Sequence, residues 1–81
     1  MVLSSTQHNT LLQLGWKDVK VNLYKYCIDV DNENQICDMI IIKSLSDIIL
    51  IENIREDNEW VQQELKFSNL NKLLNYLESI W

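Results

Sequence analysis

One histidine, two cysteines and two knots of carboxylates are the groups in this chain with chemistry to offer. His8 could act as a general acid or base only beside a positioned partner, and its neighbours in sequence are Ser, Thr, Gln and Asn. It is therefore expected on the outside of a helix. Cys27 and Cys37 have no adjacent base to draw off a proton, so neither reads as a nucleophile. Two Cys and one His in separate segments do not make the spacing of a zinc site. Asp29-Val30-Asp31-Asn32-Glu33 begins like a calcium loop, but Asn34 stands where the sharp-turn glycine belongs and Ile40 where the bidentate glutamate belongs. A solvated acidic turn is expected instead. With Gly15 as the one glycine, a phosphate-cradling loop is ruled out. The sequence points to no catalytic residue, no cofactor and no metal, and the chain reads as a non-enzyme.

The carboxylates gather at two turns: Asp29, Asp31, Glu33 and Asp38 around one, and Glu52, Glu56, Asp57 and Glu59 around the other. Seven basic residues against twelve acidic ones leave a net charge of −5, the wrong sign for binding phosphates or anionic membranes directly. Even Arg55 lies among Glu52, Glu56, Asp57 and Glu59. Two readings of the acidic turns stand. Turns are solvated, and solvated residues are charged. Alternatively, both turns lie at one end of a sheet and form a negative rim that steers a basic partner, such as a nucleic-acid-binding enzyme. The candidate contacts are Asp29, Asp31, Glu33, Glu56, Asp57 and Glu59. Trp60 joins them because it falls on the polar side of its strand, where an aromatic ring has no core to enter.

The elements that carry these groups read as follows. Ser4 with Gln7 forms a capping box before a short helix, roughly Ser5 to Leu14, and Gly15 is placed to end it in a left-handed conformation. From Val19 to Val30 the residues alternate, but the apolar side switches between Leu23 and Tyr24. One strand with a bulge or bend at that point is expected. Tyr24 and Tyr26 share a strand face with Ile28, and without basic neighbours they read as packing residues rather than a base-stacking platform. Asp31 to Asn34 is a turn, Ile36 to Lys43 and Asp47 to Ile54 are strands around Ser44-Leu45-Ser46, and a polar stretch from Arg55 to Asn58 precedes a strand from Glu59 to Phe67. In that last strand Val61, Leu65 and Phe67 face inward. Leu70, Leu73, Leu74, Leu77 and Ile80 recur at helical spacing after a cap at Ser68 or Asn69.

The result is a single α+β domain over residues 1–81, a four-stranded antiparallel meander between a short N-terminal helix and a C-terminal amphipathic helix, in the order α-β-β-β-β-α. This layout resembles that of double-stranded-RNA-binding domains. The resemblance implies a basic cluster at the start of the second helix, and Ser68-Asn69-Leu70-Asn71 brings no charge there, so RNA binding is not expected. Cys27 and Cys37 flank the first turn. As strand neighbours without an export signal in MVLSSTQHNT, they are expected to remain reduced, in a cytoplasmic protein with no membrane-spanning segment.

Met39-Ile40-Ile41-Ile42 and Ile48-Ile49-Leu50-Ile51 are continuous apolar runs, so both faces of the central strands want cover. Each isoleucine left out forgoes about 1.5–3 kcal/mol, a large fraction of a small domain's stability. Either the helices lie on opposite faces, or they share one and the other meets a second copy or a different protein. The N-terminal helix is too weakly apolar to cover a face alone, which favours the shared arrangement. Ala and Pro are absent beside ten Ile, twelve Leu and nine Asn, the signature of AT-rich coding common in mobile elements. The expected function is a small acidic protein-binding module: an inhibitor, immunity or anti-defence factor that modulates a partner. The alternative is a structural homo-oligomer or a small subunit of a larger assembly.

Overall fold

The computed structural model describes residues 3–80, with the side chain of Ile80 outside that description. The chain forms α1 (Ser5–Gln13), β1 (Lys17–Lys20), β2 (Leu23–Asp29), β3 (Gln35–Ser44), β4 (Asp47–Glu56), β5 (Glu59–Phe67) and α2 (Leu70–Ile80). The five strands make one antiparallel sheet in the order β1-β2-β3-β4-β5.

Both helix starts are built as their residues dictate. Ser4 Oγ accepts the Gln7 amide at 3.2 Å while Gln7 Oε1 accepts the Ser4 amide at 3.0 Å, a complete capping box. For α2 the cap is Asn69, whose Oδ1 accepts the Lys72 amide at 2.9 Å. Gly15 follows α1 at φ +102°, a conformation that other residues enter with strain.

A fifth strand corrects the expected count. The region from Val19 to Val30 is two strands, reversing at Val21-Asn22, with Asn22 at φ 63°. The switch of apolar side between Leu23 and Tyr24 therefore marks a chain reversal upstream, not a bulge within one strand. Val19 and Val21 are both exposed, Val21 at 72 %. The Asn22 carbonyl accepts the Ile42 amide at 2.9 Å, tying the reversal to β3.

The register aligns Tyr24, Ile40, Leu50 and Leu65 across four strands, and Ile42, Ile48 and Phe67 across the next row. Most of these residues are buried and form one core with Leu11 of α1, Trp16, and Leu70, Leu73 and Leu77 of α2, while Leu65 and Phe67 pack against its edge. The helices share this face: His8 of α1 meets Tyr24, and Tyr76 of α2 meets Phe67 and Glu52. The other face carries Leu23, Ile41 and Ile49 in one row and Met39 with Ile51 in the next, flanked in register by Lys25, Glu64 and Lys66. No described helix covers it. Adjacent side chains nonetheless shelter one another, so that Ile49 is only 7 % exposed and the other four are half-buried.

Cys27 and Cys37 are joined by a disulfide, contrary to the expected free thiols. They stand directly opposite each other in the β2–β3 register, with Cα atoms 4.0 Å apart. Directly opposite residues of an antiparallel ladder come nearest at its narrow pairs, about 4.5 Å between Cα atoms, and this pair is slightly closer still.

Candidate functional site

The two long hairpins, β2–β3 and β4–β5, outrun the helices. Their free ends lie together, because in a meander both turns fall at the same end of the sheet. The β3–β4 ladder runs from Ser44 and Asp47 to Met39 and Ile51 and stops there. Beyond it the Asp38 carboxylate takes the place of a strand partner. Its Oδ1 accepts the Asn53 amide at 2.9 Å and Asn53 Nδ2 at 2.9 Å, while Nδ2 also donates to the Cys37 carbonyl at 2.8 Å. A side chain inserted between two strands holds them apart.

A cleft of about 170 Å³ occupies the opening, lined by Tyr26, Ile28 and Ile36 from one hairpin, Trp60 from the other, and Asp38 and Asn53. Part of the exposed apolar surface lies at this end, the rest being at Leu12, Val19, Val21 and Leu45. Ile28 is 44 % exposed, Val61 39 % and Trp60 36 %, with Val30 beside them at the hairpin end. Trp60 stands opposite Arg55 in the register, and the guanidinium carbon lies 5.5 Å from its ring centroid, a cation–π contact.

The acidic residues flank this cleft from both tips. Asp29, Asp31 and Glu33 belong to the β2–β3 end and Glu56, Asp57 and Glu59 to the β4–β5 end, all exposed. They are not equivalent. Asp31 organises its own turn: Oδ1 accepts the amides of Glu33 and Asn34, each at 2.8 Å, and the Asn34 side chain binds both oxygens. The Asn34 side chain, followed by the Glu33 amide, holds the Asp31 carboxyl below its usual range. Asp29 accepts Gln35 Nε2 at 2.9 Å. Asp57 and Asn58 both adopt positive φ, 50° and 67°, the backbone of a two-residue hairpin turn. Glu33, Glu56 and Glu59 enter no recorded side-chain bond among the described residues. Sequence reasoning counts Asp38 only among the carboxylates of the first turn and does not single out Asn53, so the bond that joins the two hairpins is what it missed.

The other titratable groups serve the core. His8 Nδ1 lies 2.7 Å from the Tyr24 hydroxyl and its Nε2 lies 3.9 Å from Asp18. An Asp–His–hydroxyl chain of this kind has the order of a nucleophile and its base. Tyr24, however, is only 1 % exposed, so its oxygen is closed to a substrate. Burial, reinforced by the Asp18 charge, pushes its phenol pKa up, which further disfavours a phenolate. The chain holds α1 on the sheet. Glu52 is 6 % exposed and accepts Gln63 Nε2 at 2.6 Å and the Tyr76 hydroxyl at 2.7 Å, so this buried carboxylate is engaged from two sides. Among the described residues no group of three or more His, Cys, Asp or Glu is arranged to hold a metal, and no helix is long and apolar enough to cross a membrane.

No family model, curated protein or solved structure matches this chain.

Proposed function

We propose that this chain is a protein-binding module that docks a basic partner on the free ends of its two long hairpins. The observation that carries the reading is the coincidence of three features at one end: two acidic tips, a cleft between them, and exposed Trp60, Ile28 and Val61. Interfaces that bind tightly combine a buried aromatic anchor with a polar rim, and the rim charge raises the encounter rate with an oppositely charged partner. The partner class we assign is a basic nucleic-acid-binding enzyme, and the role is that of an inhibitor or immunity factor, a reading supported by the acidity and by the Ile- and Asn-rich, Ala- and Pro-free amino-acid bias. No reaction is part of this proposal.

Affinity capture from the source cells with the tagged full chain tests it, combined with Glu33→Lys and Glu56→Lys, two charge reversals at unstrained exposed positions. The expected result is a stoichiometric basic partner whose capture weakens with added salt and is lost in the doubly reversed variant at unchanged melting temperature. A partner retained equally by that variant at every salt concentration refutes a steering rim.

The helix-free sheet face supports a second reading, a homodimer. Lys25 and Glu64 occupy opposite ends of the row containing Met39 and Ile51. A two-fold axis along the strands would set each lysine against the partner copy's glutamate over a shared apolar strip. Light scattering distinguishes the readings: this dimer survives high salt because its centre is apolar, whereas a steered encounter does not. A strictly monomeric chain at high concentration removes the second reading and leaves the first.

A further inference from the structure

Deepening the reading of a basic partner, on which it rests, we propose that the cleft between the hairpins is a socket for one arginine side chain of that partner. Size comes first. Pockets for cofactors and drug-sized ligands run to about 300–1,000 Å³. At about 170 Å³ this cleft is too small for a nucleotide or a cofactor and suits a single side chain.

The lining then selects which side chain. Tyr26, Ile28, Ile36 and Trp60 supply apolar and aromatic walls, and Asp38 supplies a carboxylate among them. Only Oδ1 of that carboxylate is used, by Asn53, and Oδ2 has no hydrogen bond among the described residues. An aliphatic or phenyl group seated here would strip water from Asp38 and give nothing in return, which is costly for a charge. A lysine would return a charge but presents a compact, strongly hydrated ammonium. Arginine meets every wall: its methylene stem lies along Ile28 and Ile36, its guanidinium donates to Asp38, and its flat face stacks on an aromatic ring. The ring already accepts this chemistry, since Arg55 of the same chain lies over Trp60 at 5.5 Å. The acidic tips on both sides draw a cation toward the opening.

The test titrates the full chain with an oligoarginine and an oligolysine peptide of equal length, followed by calorimetry and by backbone amide shifts. Oligoarginine is expected to bind about tenfold more tightly than oligolysine, the effect of one well-made charged hydrogen bond in place of a poor one, with the largest shifts at Ile36, Asp38 and Asn53. Asp38→Asn keeps an acceptor for Asn53 while removing the charge, and Trp60→Ala removes an exposed ring. Each should abolish the preference for arginine. Arg55→Gln should leave oligoarginine bound at least as tightly, because it removes a competing guanidinium. Equal affinity for the two peptides, unaltered in Asp38→Asn, overturns the socket and leaves the acidic rim standing. Failure of both peptides to bind at low salt overturns the rim and the socket together.

Discussion

The Tyr76 hydroxyl donates to Glu52 Oε1 at 2.7 Å, fastening α2 to a carboxylate that is almost wholly enclosed in the sheet. Burial, the hydrogen bond to Glu52 and the nearby carboxylate charges push the Tyr76 phenol up to about 12 from its ordinary 10.0. The folded chain therefore holds this proton more tightly than the unfolded one. The stability it contributes is complete below pH 10, where both states are protonated, and is lost as pH rises from 10 toward 12. Denaturant melts across that interval should show a falling midpoint. Tyr76→Phe should cost about 1–2 kcal/mol at neutral pH, since Glu52 keeps only Gln63, and should flatten the alkaline decline. A variant as stable as the parent, with the same alkaline slope, contradicts the assignment.

Gly15 and Tyr26 form a second close fit. A Cβ at Gly15 would stand 2.7 Å from Tyr26 Cε2, and the backbone there is at φ +102°. Gly15→Ala thus meets both a steric clash and an unfavourable backbone, and should destabilise by roughly 2–3 kcal/mol. The ring of Tyr26 packs on Trp16, with centroids 5.7 Å apart, so the displaced ring disturbs the core edge and one wall of the cleft. An unchanged unfolding midpoint in Gly15→Ala defeats this account.

His8 predicts a local effect rather than a global one. Its bond to Tyr24 joins a nine-residue helix to the sheet, and a helix that short has little stability of its own. His8→Ala leaves the buried Tyr24 oxygen without that partner and should cost about 1–2 kcal/mol. Hydrogen exchange should show the loss concentrated in the amides of Leu11 to Leu14, with β4 and β5 amides retaining their protection relative to global unfolding. Uniform acceleration everywhere would mean that α1 does not open separately.

Local signals were legible where one residue fixes the chain's path. Ser4 with Gln7, Gly15, the turn at Asp31 to Asn34 and the strand from Glu59 to Phe67 are where their residue types place them. Asn22 was not, because a lone Asn after two exposed valines carries no glycine to announce a reversal. The two acidic tips and Trp60 do come to one end, as topology alone requires. The bond between Asp38 and Asn53 was invisible because it joins different hairpins at a point where the ladder fails, and by type alone Asp38 counts only as one more carboxylate of the first turn. The apolar runs told less than they promised. Side-by-side isoleucines half-bury each other, and the exposed apolar side chains lie off the middle of the sheet, with Ile28, Val30, Trp60 and Val61 at the ends of the long hairpins and Leu12, Val19, Val21 and Leu45 elsewhere.

The Cys27–Cys37 bond gives the last prediction, and it bears on where the protein resides. The bond closes a short loop, with a sequence separation of 10, at the base of the hairpin end that carries Ile28, Ile36 and Asp38. Cross-linking a loop of that length removes unfolded-state freedom equivalent to roughly 2–3 kcal/mol, less whatever structure the reduced hairpin retains. Cys27→Ser with Cys37→Ser should lower stability by up to that amount, with amide shifts concentrated in β2, β3 and at Asn53, which donates to the Cys37 carbonyl, and with β5, which pairs only with β4, least affected. A persistent structural disulfide belongs to an oxidising compartment, whereas the sequence reading places the chain in the cytoplasm. Alkylating the protein in acid-quenched cells of its source, then measuring its mass, separates the two. Thiols labelled throughout growth place it in a reducing compartment, where the bond forms only under oxidation. A protein two hydrogens lighter and unlabelled resides where the bond is permanent, and the two strands at the hairpin end that shapes the cleft are then cross-linked from the start.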